Sequence, residues 1–315
     1  MLKKSKRQTK KFPLNEFTRF GIGGYADEFF DVRAEKKMTQ LIKLLNRAQR
    51  KYIVIGEGTN LLIAGNLKGT TIRNNIKGIK KISANTFEVG SGMNLDRLVT
   101  YFNNLGLAGL EKMAGIPGGL GGAVAGNAGA YGQEMRGIIQ KARVFNSQNE
   151  KVTWLSKKGC RFGYRESIFK KKRHLIILLA VLKFSEKEKP TVLKKISAKI
   201  RRIRNKKFPR TLRCPGSYFK NIVISSLPPA LRKKTEKTFQ DKIIHDKLPA
   251  GAVIDIAGFK GKQIGQIKIA DYHGNLIMNL GDGDYRDVLK LANKIKKVVK
   301  NKFGLTLEEE VRILR

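Results

Sequence analysis

Residues Tyr52 to Ile63 read Y-I-V-I-G-E-G-T-N-L-L-I. The β-branched run Tyr52-Ile-Val-Ile55 predicts a short strand, Gly56-Glu-Gly-Thr-Asn60 a glycine turn, and Leu61-Leu-Ile63 a second strand. A doubly wound dinucleotide fold needs its glycine turn to open a helix, so strand, turn, strand argues against that fold.

Downstream, Thr70 to Arg73 and Thr86 to Val89 predict further strands. Leu95, Leu98, Val99 and Phe102 share one face of a helix over Leu95 to Asn104, which Gly106 ends. The stretch Met113 to Gly132, M-A-G-I-P-G-G-L-G-G-A-V-A-G-N-A-G-A-Y-G, is the most unusual in the chain. So many small residues permit positive φ and close backbone approach at an entropic cost. Two readings stay open on the residues alone: a tightly packed turn, or a surface of backbone N–H groups cradling a phosphate or a flat cofactor. Ala142 to Leu155 alternates around Asn146 to Asn149, a hairpin signal. Leu175 to Leu182 is the longest apolar run, far short of the roughly 20 residues that span a bilayer, and predicts a buried strand.

Thr191 to Asn205 predicts a basic helix with Val192, Ile196, Ile200 and Ile203 on one side. Lys206 to Asn221, with Pro209, Pro215 and Gly216, predicts a connecting loop. Gln266 to Asn279 predicts two strands meeting at His273-Gly-Asn275. Asp284 is the expected N-cap of a helix reaching Phe303, with Asp287 at N3 and Gly304 at C′. Leu305 to Leu314 reads as a terminal strand, and no internal repeat is present.

The 315 residues hold 65 Lys and Arg against 25 Asp and Glu, a net charge of +40. Clusters at Lys3 to Lys11, Lys170 to Arg173, Lys199 to Arg213 and Lys294 to Lys302 invite a nucleic-acid reading. No nucleic-acid module accompanies them, and a lysine-rich chain decorates its solvated faces in the same way. Cys160 and Cys214 are too few for a disulfide framework or a four-ligand zinc site, and His174, His245 and His273 lack ligand spacing. The basic N-terminus lacks the apolar core of a signal peptide. A reduced cytoplasmic protein is expected.

Eight strings in series resemble the UDP-N-acetylenolpyruvoylglucosamine reductase (UDP-N-acetylmuramate dehydrogenase, MurB) family. They are T-R-F-G-I-G-G-Y-A (Thr18 to Ala26), G-E-G-T-N-L-L (Gly56 to Leu62) and the glycine block Ala114 to Gly132. Then follow C-R-F-G-Y-R-E-S-I-F-K (Cys160 to Lys170), P-G-S-Y-F-K-N (Pro215 to Asn221) and A-G-A-V-I-D-I-A-G-F-K-G (Ala250 to Gly261). H-G-N-L-I-M-N (His273 to Asn279) and L-E-E-E-V-R (Leu307 to Arg312) complete the set. The short connection Leu182 to Lys207 resembles the compact form of the family, which lacks a longer insertion with a substrate-closing tyrosine. Two positions depart from the pattern: Gly119 stands where Thr or Ser is usual, and Ile222 where proline commonly follows F-K-N.

The resemblance implies an α+β protein. An FAD-binding module of two subdomains, of the vanillyl-alcohol-oxidase/PCMH-like type, is joined to a C-terminal α+β substrate-binding domain. The implied limits are a basic arm at 1–14, FAD subdomains at 15–75 and 76–204, a substrate domain at 205–303, and a strand at 304–315 returning to the flavin site. The implied reaction, in peptidoglycan synthesis, reduces UDP-N-acetylglucosamine enolpyruvate. NADPH supplies hydride through non-covalent FAD to carbon-3 of the enolpyruvyl group, and a proton reaches carbon-2. No metal, no membrane insertion, no specific nucleic acid and a monomer are expected.

By the same resemblance Arg165 stabilises the developing enolate, and a guanidinium can grip a carboxylate bidentately. Glu310 is the implied acid. On a strand Glu308 would share its face and Glu309 oppose it. Ser217 is the implied proton donor; a hydroxyl needs a relay or a nearby cation for that role, and Lys220 is in the same string. Tyr131, Lys207, Lys220, Asn221 and Arg312 are implied substrate contacts, with Lys207 resting only on its spacing before Pro209. Gly56, Gly58, Thr59, Asn60 and Leu61 would hold the FAD diphosphate; Ile116, Gly121, Gly122, Asn127, Ala128 and Gly129 would line the rest of the cofactor. Two alternatives are an FAD-linked oxidase of the same fold and a basic nucleic-acid-binding protein. The first commonly attaches flavin through His or Cys, which no glycine-loop position offers; the second predicts a colourless protein.

Overall fold

The computed structural model describes residues 11–209 and 211–315, so the first ten residues of the expected basic arm lie outside it. The chain forms two compact units that interleave in sequence: one takes 26–58 and 68–210, the other 13–25, 59–67 and 211–315. Among the described residues no helix is long and apolar enough to cross a membrane.

In the first unit, strands Tyr25–Val32, Leu67–Asn74 and Tyr52–Ile55 lie side by side, the last two parallel. Helix Glu35–Arg47 covers them with Met38, Ile42 and Leu45. A five-stranded antiparallel sheet follows, in the order Lys151–Ser156, Ile139–Asn146, Leu175–Lys183, Thr86–Gly90, Ile79–Ser83. Its centre, Leu175–Lys183, is the apolar run, buried on both faces: Ile176 and Leu178 join the helix-side core, Ile177, Ala180 and Leu182 the opposite one. Helix Leu95–Asn104 is capped by Asn94, whose side chain accepts from the Arg97 N–H. The basic helix runs Pro190–Lys207, opening on Pro190 and burying Leu193, Ser197 and Ile200.

In the second unit, strands Gln263–Ile264, Ile267–Ile269 and Ile277–Asn279 form a small sheet. Helix Tyr285–Phe303 packs Val288, Leu291, Ile295 and Val299 into the same core. Asp284 caps it through the Arg286 N–H, and Gly304 closes it at φ 75°. The terminal segment is a strand only over Arg312–Leu314, which pairs in parallel with Leu61–Ile63. The expected strand over Leu305 to Leu314 is thus shorter, because 308–310 hydrogen-bond a different partner, the segment 217–220.

Candidate functional site

The glycine block is neither a plain turn nor an open loop. Its centre, Leu120–Ala125, is a short helix, which the low propensity of L-G-G-A-V-A hides in the sequence. Tertiary bonds fix it. The register between Leu175–Lys183 and Ile139–Asn146 slips between Arg143 and Val144, leaving Leu178 as an extra residue. Its carbonyl accepts from Ser91 N–H at 3.0 Å, and the Ser91 carbonyl accepts from Gly121 N–H at 2.7 Å. A Cβ at Gly121 would meet Ser91 Cβ at 3.0 Å, and one at Gly129 would lie 2.5 Å from the Gln133 carbonyl. These glycines are required by the chain itself. Gly122 and Gly56 differ: a Cβ there meets nothing within 4 Å.

Asn127, of the implied cofactor residues, is fully buried at φ 40°. Its amide donates to Gly163 O (2.8 Å) and Glu134 Oε2 (3.1 Å), and its oxygen accepts from Arg136 N–H (3.0 Å). That side chain holds the loop in shape and has its donors already engaged. Ala128 is bonded on both sides, to Ala123 O and from Met135 N–H, and Ile116 packs against the first-unit core. Gly119, at the N-cap of the short helix, offers no side-chain cap.

Arg165 adopts φ 52°, and its Nη2 donates to Gly129 O at 2.7 Å, tying it to the glycine block; Lys170 Nζ donates to Arg165 O at 2.8 Å. Tyr131 and Gly132, both at positive φ, form the two-residue tip of the hairpin joining Gly129–Ala130 to Gln133–Glu134. Tyr131 is 47% exposed there. Lys207 ends the basic helix; burial and then the Arg204 charge pull its pKa down. Both cations lie 5.3 Å from the Phe208 ring, and a Cβ at Gly115 would lie 3.5 Å from Arg204 Cδ.

In the second unit the implied proton-handling residues share one backbone frame. Glu310 N–H donates to the Tyr218 carbonyl at 2.8 Å, Lys220 N–H to the Glu308 carbonyl at 2.8 Å, and Phe219 bridges Glu309. Ser217 is half-buried beside Gly216, whose φ of 96° sets the bend before it. Glu308 Oε2 lies 3.1 Å from Lys220 Nζ, and Glu309 Oε1 lies 2.9 Å from Lys296 Nζ. Lys220 therefore has its charge balanced at Glu308. Tyr218 is fully buried, and burial, then the charge of Glu309, pushes its phenol up, so it stays protonated at neutral pH and is a poorer acid than an ordinary tyrosine. Asn221 accepts from Ala250 N–H at 3.3 Å, and Ile222, at the usual proline position, is buried and opposes Leu248. Asn60 Nδ2 donates to Glu310 O at 3.1 Å, and Arg312 N–H donates back to Asn60 O at 3.1 Å.

These residues fit FAD. Gly56 and Gly122 leave open space where any other residue would carry a Cβ, and Gly58 turns at φ 68°. Such a set of backbone N–H groups and short side chains suits a diphosphate. Among the described residues no group of His, Cys, Asp and Glu could hold a metal. Glu57, overlooked in the sequence, pairs with Arg73 at 3.1 Å. Lys77, also overlooked, donates to Gly92 O at 2.5 Å, and burial lowers its pKa against the opposing charge of Glu57. Only the charge within G-E-G-T-N hinted at the first, and nothing at the second.

A family model described as "FAD binding domain" matches residues 27–156, and one described as "UDP-N-acetylenolpyruvoylglucosamine reductase, C-terminal domain" matches 208–314. The chain is 37% identical over 300 residues to the UDP-N-acetylenolpyruvoylglucosamine reductase of Solibacter usitatus, covering 95% of this chain and 94% of that one. With the Bacillus subtilis reductase it shares 32% identity over 96% and 92% of the two chains. The crystal structure of the Thermus caldophilus reductase superposes with a TM-score of 0.74 at 27% identity, covering 97% of this chain and 98% of that one.

Proposed function

The chain belongs to the UDP-N-acetylenolpyruvoylglucosamine reductase family, and from that premise we propose how its residues share the work. It catalyses the FAD-dependent reduction of UDP-N-acetylglucosamine enolpyruvate to UDP-N-acetylmuramate in peptidoglycan synthesis, with NADPH as co-substrate. When bound, FAD relays hydride from NADPH to carbon-3 of the enolpyruvyl group. The protein then has two tasks: to stabilise negative charge on the enolate-like carboxylate, and to deliver a proton to carbon-2.

Our reading gives the first task to Arg165, whose permanent charge is held by its bond to Gly129 O. The second goes to Ser217 with Glu310. The observation that carries it is the 2.8 Å bond from Glu310 N–H to Tyr218 O, which joins the acid to the residue following the hydroxyl. Gly56, Gly58, Thr59, Asn60, Leu61, Ile116, Gly121, Gly122, Ala128 and Gly129 hold FAD, with Asn127 shaping the loop behind them. Tyr131, Lys207, Lys220, Asn221 and Arg312 contact the substrate. The first unit supplies most of the FAD module, the second the UDP-sugar domain, and the enzyme works as a cytoplasmic monomer.

Ser217→Ala tests the assignment. The flavin absorbance should still bleach with NADPH while UDP-N-acetylmuramate formation falls about 10²- to 10⁴-fold, the range of a lost general acid. Loss of both half-reactions, or full retention of product formation, removes Ser217 from the role.

A further inference from the structure

H-G-N-L-I-M-N serves no purpose in the reaction as described, yet its asparagines, Asn275 in the turn and Asn279 on the strand that follows, are buried where polar side chains are costly. Asn275 is 2% exposed. Its Oδ1 accepts from Phe219 N–H at 2.8 Å, its Nδ2 donates to Phe219 O at 2.8 Å, and its own carbonyl accepts from Tyr218 N–H at 3.0 Å. Three bonds thus reach the two residues that follow Ser217.

The reason lies in strand geometry. Tyr218 O and Lys220 N–H face the terminal segment, bonding Glu310 N–H and Glu308 O. Phe219, between them, points its N–H and carbonyl the other way, as alternate residues of an antiparallel pair do. Among the described residues no strand lies there; the primary amide of Asn275 supplies the missing donor and acceptor together, as a peptide group would. Asn275 is itself held, its N–H donating to His273 Nδ1 at 3.1 Å, and the His273 ring fills the space a Cβ at Gly251 would need. Asn279, four residues on, does similar work for T-R-F-G-I-G-G: Nδ2 donates to Phe20 O and Gly21 O at 3.1 and 3.2 Å, and Oδ1 accepts from Gly281 and Gly283 N–H.

We propose that Asn275 is a positioning residue for proton delivery: its amide clamps the Tyr218-Phe219 backbone against the terminal segment and so fixes Ser217 relative to Glu310. This rests on the assignment of Ser217 as proton donor. Aspartate is the discriminating substitution, because it keeps the size and the acceptor but replaces the donor to Phe219 O with an anionic oxygen.

Asn275→Asp and Asn275→Ser are prepared as FAD-loaded enzymes beside Ser217→Ala. The expected result for both Asn275 variants is an unchanged rate of flavin bleaching by NADPH. The kcat for product should fall about 10- to 100-fold, as for an ångström-scale misplacement, with little change in KM. The solvent deuterium isotope effect on kcat should rise above that of the parent, since proton delivery becomes rate-limiting. In the Asp variant the loss should shrink at acid pH, where a protonated carboxyl donates to Phe219 O again; the titratable groups nearby, His273, Glu308, Glu309 and Lys220, are common to the parent, whose profile is the control. If Ser217→Ala retains full turnover, the donor assignment fails and the proposal with it. If Ser217→Ala loses turnover while both Asn275 variants keep it, or slow without a larger isotope effect, only the positioning role fails. If neither Asn275 variant folds as a yellow protein, Asn275 is a folding requirement and the proposal is likewise overturned.

Discussion

The side-chain amide of Asn60 donates to the main-chain carbonyl of Glu310 across 3.1 Å, and Arg312 N–H returns a bond to the Asn60 carbonyl. One residue of the glycine turn thereby anchors the segment that carries the implied acid, while its other side-chain atom, Oδ1, is buried without a partner. A single side chain thus couples a proposed cofactor loop to the segment that carries the implied acid. Asn60→Asp keeps the shape, removes the donor to Glu310 O and adds a negative charge where an anionic diphosphate is to bind. The added charge should weaken FAD binding, and loss of the bond to Glu310 O, worth about 1–3 kcal/mol, should loosen the terminal segment and lower kcat in the FAD-saturated enzyme as well. Flavin fluorescence titration and turnover measure the two effects; unchanged FAD affinity would remove Asn60 from the cofactor site.

Glycines within the same block should respond in opposite ways. Gly122 lies in a helix with open space around its missing Cβ, so Gly122→Ala should stabilise the FAD-free protein by up to about 1 kcal/mol. The added methyl occupies room we assign to the cofactor, so FAD affinity should drop. Gly129→Ala, driven into the Gln133 carbonyl, should lose stability before any ligand is added. Melting curves with and without FAD separate these outcomes. A Gly122→Ala protein that binds FAD as tightly as the parent refutes the cofactor contact.

Legibility in the sequence followed how local the cause was. Helix Tyr285–Phe303 was readable end to end because its cap, stripe and closing glycine lie within one segment. The helix Leu120–Ala125 was not, since it depends on bonds to Ser91 and Met93 and on a bulge at Leu178, far away in the chain. The full extent of the terminal strand was misread because residues 308–310 leave the parallel ladder to pair with 217–220. The implied site residues rest only on whole strings resembling a family; singly, Ser217 and Arg165 look like any loop serine and any surface arginine. Asn275 and Glu57 escaped notice because supporting hydrogen bonds have no spacing rule.

Tyr131 holds a conformation that its residue type disfavours. A bulky side chain at φ 50° in a two-residue turn with Gly132 occupies the place where asparagine is preferred. Such strain costs about 1 kcal/mol or more and marks sites kept for function. Tyr131→Asn should therefore raise the melting temperature by a few degrees while raising KM for the UDP-sugar, with flavin bleaching by NADPH unchanged. A lower melting temperature would mean that the ring is needed for packing, and an unaltered KM would end its assignment as a substrate contact.

Cys160 belongs to the string that carries Arg165, yet its chemistry is that of a core residue. It is fully buried, and burial pushes its thiol up to about 11; Cys214 is raised as well, again by burial. The native thiols should accordingly resist a maleimide or disulfide reagent at pH 8, and both should react once the protein is unfolded. The linkage has a definite sign. Above pH 9 the unfolded chain loses the Cys160 proton while the folded protein keeps it until about pH 11. The unfolded state then binds fewer protons, so stability is full below pH 9 and falls as pH rises, by at most about 1.4 kcal/mol per pH unit. Other groups titrate in that window, so the measurement is a comparison: urea unfolding of the parent and of Cys160→Ala at pH 8, 9, 10 and 11. The variant starts less stable from its lost packing but should show the shallower decline. Parallel slopes would mean that the Cys160 thiol does not titrate differently in the two states.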